Sequence, residues 1–163
     1  MPATNANRPD SDLIVCACTN LKMAARATGR LYDRALAPIN LNAMQFAILN
    51  NIGKRGSILT MELAPMLSLE RTTLYRALAI LQRRGLVEAR SGRGKEQLLS
   101  LTDEGQGLRE QAMVLWQEIQ EKFVAHFGND WEAFLNHLRQ ARAFSEDANR
   151  HFPEGQVQPA TAG

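Results

Sequence analysis

Residues 68–101 limit the possible folds more than any other stretch of the chain. They predict an amphipathic helix, a glycine that ends it at Gly85, and two short strands joined by a basic loop with Gly92 and Gly94. Ser68 can accept hydrogen bonds from the free amides at the helix start, so we expect it to be the N-cap. Apolar residues recur at three- and four-residue steps and predict one buried face: Leu74, Ala77, Leu78 and Leu81.

The opposite face of this predicted helix carries arginine, threonine and tyrosine side chains. An arginine can donate two hydrogen bonds to a guanine, and a threonine offers a methyl group to thymine or a hydroxyl to a phosphate. Residues 70–97 carry seven basic and three acidic side chains, whereas residues 102–127 carry two basic and five acidic ones. The positive charge is therefore concentrated on the segment whose chemistry suits the major groove of DNA.

The same stretch resembles the recognition helix and wing of the MarR family of bacterial transcription regulators. The matching segments are residues 59–64 (Leu-Thr-Met-Glu-Leu-Ala), Thr73 with Arg76, residues 85–87 (Gly-Leu-Val) and residues 101–105 (Leu-Thr-Asp-Glu-Gly), and the likeness extends over roughly residues 12–150. It implies a winged helix-turn-helix fold that is mainly α with a small β-wing, in which N- and C-terminal helices form a dimerisation region. It also implies a homodimeric repressor that binds double-stranded DNA at a pseudo-palindromic operator.

The predicted helix supplies most of the expected DNA contacts. Three of its side chains are expected nearest the bases: Thr72, Tyr75 and Arg76. Three others are expected to hold phosphates: Ser68, Arg71 and Thr73. Sequence preference would then depend on the first group, because phosphate contacts position a protein on DNA without reading its sequence.

The wing supplies the remaining predicted contacts. Arg93 and Lys95 stand at its tip and Arg90 on the strand before it, and the tip residues should add affinity for any DNA sequence. Members of the family usually carry an aspartate and then an arginine in the tip, and this chain has Arg93 and Lys95 at those positions. The partner that often steadies the wing arginine is therefore missing.

We predict a single domain over residues 12–152, between a disordered N-terminus (1–11) and a disordered tail (153–163). The DNA-binding lobe should cover about residues 42–101. The resemblance implies that helices at about residues 12–37 and 102–152 form the dimerisation region.

Capping residues predict where the first helices begin and end. A long first helix should end before Pro38. Asn42 and Gln45 form a capping-box pair for a second helix, which is expected to end near Asn51 and to be followed by a loop at residues 53–57. A third, short helix should be capped by Thr60, and Pro65 inside it is expected to kink or shorten it. The helix after the wing should be capped by Thr102.

Cys16 and Cys18, both in the predicted first helix, raise the possibility of redox sensing. Their side chains point about 200° apart on a helix, so an intrachain disulfide would require the helix to unwind. The hydroperoxide-sensing branch of the MarR family has a reactive cysteine at the spacing of Cys18, with a tyrosine at the position of Tyr32. A second tyrosine of that pattern is Lys22 here. Thiol oxidation is therefore one hypothesis, and plain helix packing of both cysteines is the other.

A small aromatic effector is a second regulatory hypothesis. Members of the family commonly bind such a ligand between the dimer helices and the DNA-binding lobe. Five side chains are candidates to line that cleft: Tyr32, Met44, Phe46, Trp116 and Trp131. Aromatic residues at helical spacing also form ordinary hydrophobic core, and that alternative stays open.

The sequence favours neither an enzyme nor a membrane protein. The three histidines are not at zinc-ligand spacing, and we find no nucleophile–base pair and no phosphate loop, so we expect no metal, no cofactor and no catalysis. The chain lacks an apolar run of about 18 residues, and we expect a cytoplasmic protein. The alternative function is a winged-helix module that binds protein, or coats DNA without selecting a sequence.

Overall fold

The structure, a computed structural model, describes residues 16–91 and 96–151, and this part of the chain contains six α-helices and three β-strands. The helices are α1 (Ala17–Leu36), α2 (Ala43–Arg55), α3 (Thr60–Met66), α4 (Arg71–Arg83), α5 (Asp103–Phe127) and α6 (Trp131–His151). The strands are β1 (Ser57–Leu59), β2 (Val87–Ser91) and β3 (Gln97–Leu101). The predicted fold class, mainly α with a small β-wing, is confirmed. The segments predicted to be disordered (1–11 and 153–163) and the wing tip at 92–95 lie outside the described residues.

The chain divides into two compact units, one ending at Ile119 and one beginning at Gln120. The first unit contains a hydrophobic core whose largest fully buried side chains are Leu36, Ile48, Leu49, Ile52, Leu63, Leu74, Leu81 and Leu99. In the second unit, aromatic rings pack together: Phe127 stacks on Phe134 with 4.4 Å between ring centroids, and Trp131 meets Phe123 edge-on at 5.9 Å. Among the described residues, no helix combines the length and the apolar character needed to cross a bilayer.

The sheet has three antiparallel strands in the order β1-β3-β2. The hairpin of β2 and β3 was predicted, and its register pairs Val87 with Leu101 and Ser91 with Gln97. Strand β1 was not predicted, because residues 53–57 were expected to form a loop. It forms because Ile58 is buried and pairs with Leu99 of β3, a partner about forty residues away along the chain.

The second helix is longer than predicted and includes Gly53. Its C-cap is Gly56, whose φ of +72° is a conformation that glycine adopts without strain. Inside the helix, a Cβ atom at Gly53 would lie 2.6 Å from Cδ of Arg109 on α5. The Arg109 Nε atom donates a hydrogen bond to Asn50 at 3.2 Å. Gly53 therefore provides room for the Arg109 side chain and does not mark a loop.

Two predicted caps are confirmed. Asn42 accepts a hydrogen bond from the Gln45 amide at 2.8 Å, and Gln45 accepts one from the Asn42 amide at 3.2 Å. The Thr102 hydroxyl accepts from the Gly105 amide at 3.0 Å at the start of α5. In each pair the two residues are three positions apart in the sequence, which is why local sequence predicts these caps.

Two other predicted caps are wrong. Thr60 is the first residue of α3, and its buried hydroxyl donates to the Gln97 carbonyl of β3 at 3.2 Å. Ser68 lies before α4 in a turn with φ of +51°, and Glu70 occupies the N-cap position. The turn is closed by the Ser68 amide, which donates to the Pro65 carbonyl at 3.1 Å in the last turn of α3. Thr60 and Ser68 thus form hydrogen bonds with Gln97 and Pro65, and neither bond caps the helix that follows.

Candidate nucleic-acid interface

Helix α4 carries one buried and one exposed face, as the sequence predicted. Leu74, Ala77, Leu78 and Leu81 are buried in the core of the first unit. Burying a leucine contributes roughly 1.5–3 kcal/mol, so these side chains hold α4 firmly in position. The exposed face carries Arg71, Thr72, Tyr75 and Arg76.

The side chains expected nearest the bases lie together on this face. Thr72 and Arg76 are exposed and one helical turn apart, and the Tyr75 side chain is 53% exposed. A large aromatic side chain that is half open to solvent on an otherwise polar surface is available for contact with a partner. Together they present a guanidinium, a hydroxyl with its methyl group, and a phenol, all of which can contact base edges or phosphates.

Thr73 is half-buried, whereas Thr72, Tyr75 and Arg76 are exposed. With Arg76 it lines a cavity of about 220 Å³ between α4 and the start of α2, whose other lining residues are Asn42, Met44, Gln45, Ala77 and Ile80. Met44 was predicted to line an effector cleft, and Asn42 and Gln45 were predicted as a capping pair, but none of the three was predicted to lie beside Thr73 and Arg76. No local signal could have predicted this neighbourhood, because the cavity forms only where two helices pack together.

The C-terminal end of α4 is closed by a glycine turn, as predicted. Gly85 has a φ of +69°, and the amides of Gly85 and Leu86 donate to the carbonyls of Gln82 and Leu81 at 2.9 and 3.0 Å. Of the two arginines in this last turn, Arg83 is exposed, whereas Arg84 donates from Nη1 to the Asn40 carbonyl at 2.7 Å. Part of the basic charge counted in the sequence therefore serves an internal contact.

The described part of the wing contributes Arg90. Its side chain is exposed on β2 and forms an ion pair with Glu88 at 3.0 Å, and Glu88 also accepts from the Ser100 hydroxyl at 3.1 Å. A surface ion pair of this kind is weak, so it would compete little with a phosphate. The predicted contacts at Arg93 and Lys95 lie outside the described residues.

Both cysteines are free and exposed at the beginning of α1. Cys16 is the N-cap residue of α1, with an extended backbone, and Cys18 lies in the first turn. Hydrogen bonds from the Thr19 hydroxyl and amide lower the pKa of the Cys16 thiol, with a smaller contribution from the positive charge of Lys22. A thiol with a lowered pKa carries more of the reactive thiolate at neutral pH. Burial raises the pKa of Tyr32.

The five candidate effector residues occupy different environments. Phe46 is 4% exposed, and its ring lies 6.2 Å from that of Trp116. Trp131 belongs to the aromatic cluster of the second unit. A cavity of about 390 Å³ lies elsewhere, lined by Arg84, Leu86, Glu104, Gly107, Leu108 and Gln111. An aromatic ligand at the predicted cleft stays a prediction.

A model of the MarR family matches residues 39–95, which include α2, α3, α4 and β2. Among proteins with curated descriptions, an uncharacterized HTH-type transcriptional regulator of Bacillus subtilis, YwoH, is 26% identical over 119 residues. That match covers 72% of this chain and 87% of the relative.

Solved structures of transcriptional regulators are similar over most of the chain. The transcriptional regulator MosR of M. tuberculosis, crystallised in complex with DNA, is 34% identical with a TM-score of 0.75. The match covers 82% of this chain and 98% of MosR. A mutant of MarR from E. coli, crystallised with operator DNA, is 26% identical with a TM-score of 0.71, and the match covers 82% of this chain and 98% of that one.

Proposed function

The chain belongs to the MarR family of transcription regulators, and we propose that it is a repressor that binds a pseudo-palindromic operator as a homodimer. One observation carries this proposal. The face of α4 with Thr72, Tyr75 and Arg76 is exposed, while the opposite face is fixed in the core. A rigid helix with such a surface can enter a major groove with its side chains already oriented.

The proposed roles follow from the position of each residue on that surface. Thr72, Tyr75 and Arg76 contact bases, and Arg71, Ser68 and Thr73 contact phosphates. The turn that holds Ser68 directly precedes α4, which suits a backbone contact at the edge of the groove. Arg90, Arg93 and Lys95 bind phosphates or the minor groove from the wing. That MosR and MarR were crystallised with DNA supports this use of the fold.

Exposed apolar side chains support dimerisation. On α1, Leu21, Met23 and Leu31 are exposed, with Met23 at 63%. On α6, the Phe144 side chain is 76% exposed. These exposed apolar side chains are available for contact with a second subunit. We therefore propose that residues of about 42–101 form the DNA-binding lobe, and that the helices at about 12–37 and 102–152 form the dimer interface. Twofold symmetry would place the half-sites about one helical turn, or roughly 34–36 Å, apart.

Two signals are candidates for causing the protein to dissociate from its operator. The first is oxidation of Cys16 or Cys18, which is supported by the exposure of both thiols and by the lowered pKa of Cys16. The second is a small aromatic ligand near Tyr32 and Trp116.

One experiment tests the function and separates these signals. Preferred DNA is selected from a random pool, and its affinity is compared with that of random DNA at fixed salt. A regulator should prefer the selected sequence by about 10³-fold or more. Binding is then repeated with hydroperoxide, with reductant and with a panel of aromatic acids. Release by oxidant that disappears in Cys18→Ser or Cys16→Ser supports thiol sensing, and release by an aromatic acid alone supports the ligand.

The second candidate function is a module that binds protein or coats DNA without selecting a sequence. The substitution of Arg93 and Lys95 for the usual aspartate and arginine of the wing tip favours it. Such a module would bind selected and random DNA with similar affinity, so the same competition decides between the two functions.

A further inference from the structure

The C-terminal end of α4 forms hydrogen bonds with Asn40 and with Thr102, neither of which contacts DNA in the proposed function. We call residues 84–86 (Arg84, Gly85 and Leu86) the exit junction. Arg84 donates to the Asn40 carbonyl, which follows α1, at 2.7 Å. From the start of α5, the Thr102 hydroxyl donates to the Gly85 carbonyl at 2.6 Å, and the Thr102 amide donates to the Leu86 carbonyl at 3.3 Å.

The segment that accepts the Arg84 hydrogen bond is itself fixed to α1. Asn40 has a left-handed backbone with φ of +54°, and its amide donates to the Ala37 carbonyl at 2.9 Å. The next amide, of Leu41, donates to the Leu36 carbonyl at 3.3 Å. Leu36 and Leu41 are both buried. The Asn40 carbonyl is therefore a rigid extension of α1, which is the kind of acceptor that can transmit position.

A further hydrogen bond ties α1 to the start of α2. Oδ1 of Asp33, near the end of α1, accepts from the Ala43 amide at 2.8 Å. Together with the capping box at Asn42, it fixes the segment between α1 and α2 at both ends. Arg84 thus connects the recognition helix to a segment with little freedom of its own.

We propose that Arg84 is a positioning residue that sets the distance between the two recognition helices of the dimer, a role that rests on the proposed function. Helix α1 belongs to the proposed dimer interface, and α4 enters the major groove. A hydrogen bond between the end of α4 and the end of α1 therefore transmits the geometry of the dimer to the spacing of the half-sites. Arg84 acts on DNA through α4 and not by contact with bases.

Operator spacing is the quantity that this role controls. One extra base pair between half-sites moves them apart by about 3.4 Å and rotates one by about 35° relative to the other. A dimer with rigid exit junctions binds one spacing well and its neighbours poorly. When the junction loosens, the recognition helices can follow an altered spacing, while the bases that each helix reads stay the same.

The test compares Arg84→Gln with Arg83→Gln on a series of operators. Both variants lose one positive charge from the last turn of α4, but only Arg84 donates to Asn40 in the structure. The operators carry the selected half-sites at the selected spacing and with one base pair added or removed. In wild type and Arg83→Gln the selected spacing should be strongly preferred. In Arg84→Gln that preference should fall by about fivefold, the factor supplied by one hydrogen bond of average strength. Arg84→Lys, which keeps a donor, should restore part of it.

The outcomes separate this inference from the proposed function. A wild-type protein that does not distinguish selected from random DNA refutes the function. If wild type selects an operator but Arg84→Gln lowers affinity at every spacing by the same factor as Arg83→Gln, Arg84 contributes only charge and the positioning role is refuted. Indifference of the wild type to spacing refutes it as well. Arg84→Met, which keeps the aliphatic stem, replaces Arg84→Gln if that variant does not fold.

A second measurement needs no DNA. Ala79 is exposed on α4, so a nitroxide label at Ala79→Cys, in a variant with both native cysteines changed to serine, reports the distance between the two recognition helices. The distance distribution should broaden in Arg84→Gln and stay narrow in Arg83→Gln. Equal widths in the two variants would contradict the proposal.

Discussion

Replacing Gly105 by alanine tests whether the start of α5 supports the exit junction. A Cβ atom at Gly105 would overlap the Leu86 carbonyl oxygen and lie 2.8 Å from its carbonyl carbon. Non-bonded carbon atoms prefer separations of about 3.5–4.0 Å, so α5 would have to retreat from Leu86 by about 1 Å. That movement would break or lengthen the two hydrogen bonds from Thr102 to Gly85 and Leu86.

The magnitude follows from these contacts. Two hydrogen bonds contribute about 1 kcal/mol each, and overpacking costs about 1–3 kcal/mol more. The higher helix propensity of alanine offsets about 1 kcal/mol. Gly105→Ala should therefore lower the free energy of unfolding by about 2–4 kcal/mol, which corresponds to a fall in Tm of roughly 4–16 °C for a chain of this length. The Leu86 carbonyl lies between α4 and β2. A shift there should move the proposed recognition helix, so operator affinity should fall as well.

Gly107 provides the matched control. It lies in the same turn of α5, and a Cβ atom there would meet no atom within 4 Å. Gly107→Ala should therefore raise stability by about 0.5–1 kcal/mol. Both variants are unfolded by urea and by heat, and unfolding is followed by circular dichroism. One protein concentration is used throughout, because the proposed dimerisation would add to stability. If Gly105→Ala were as stable as Gly107→Ala, the close packing on Leu86 would be refuted.

Three further predictions concern the interface, the start of α5 and the cysteines. Arg76→Ala should weaken operator binding by about 1–3 kcal/mol and relax base preference at one position per half-site, as measured by selection from random DNA; unchanged preference would exclude a base-reading role. Thr102→Val should lower the free energy of unfolding, measured by urea denaturation, by about 2 kcal/mol, because it removes a helix cap and a hydrogen bond to Gly85. Thr102→Ser keeps the hydroxyl and should restore most of that stability. The lowered pKa of Cys16 predicts more thiolate in the folded than in the unfolded protein at any pH below the usual thiol pKa. Its alkylation, followed by mass spectrometry, should therefore reach half its maximal rate at a lower pH in folded than in urea-unfolded protein, and Thr19→Val should move that midpoint upward; identical midpoints would contradict the hydrogen bond.

The parts of the fold that sequence predicted are those encoded within a few neighbouring residues. The buried face of α4 follows from a repeat within two turns, and the cap at Asn42 follows from a pair three residues apart. The parts that it missed depend on distant partners. Thr60 does not cap α3 because its hydroxyl bonds to β3, and Gly53 lies inside a helix because Arg109 packs against it. A local pattern contains no information about a partner fifty residues away.

The candidate site divides in the same way. The exposure of Arg71, Thr72, Tyr75 and Arg76 follows from helical periodicity and was predicted. Whether a given arginine is available to DNA was not predictable. Arg83 and Arg84 are adjacent and chemically identical, yet only Arg84 reaches the Asn40 carbonyl. Charge counted along a sequence therefore overstates the charge that faces a partner.

The position of the hydrogen bonds along α4 explains why the exit junction matters for recognition. The side chains proposed to read bases lie in the first two turns, whereas Arg84 and Gly85 are bonded to the rest of the first unit at the other end. Thirteen residues separate Thr72 from Gly85, a distance of about 20 Å along a helix. A tilt of about 3° at the junction therefore displaces Thr72 by about 1 Å, which exceeds the roughly 0.5 Å range of distances over which a hydrogen bond stays strong. Small changes at the junction, whether from a substitution or from an effector, would thus be amplified at the proposed base contacts, and a regulator of this build would be released from DNA without any change in the residues proposed to contact it.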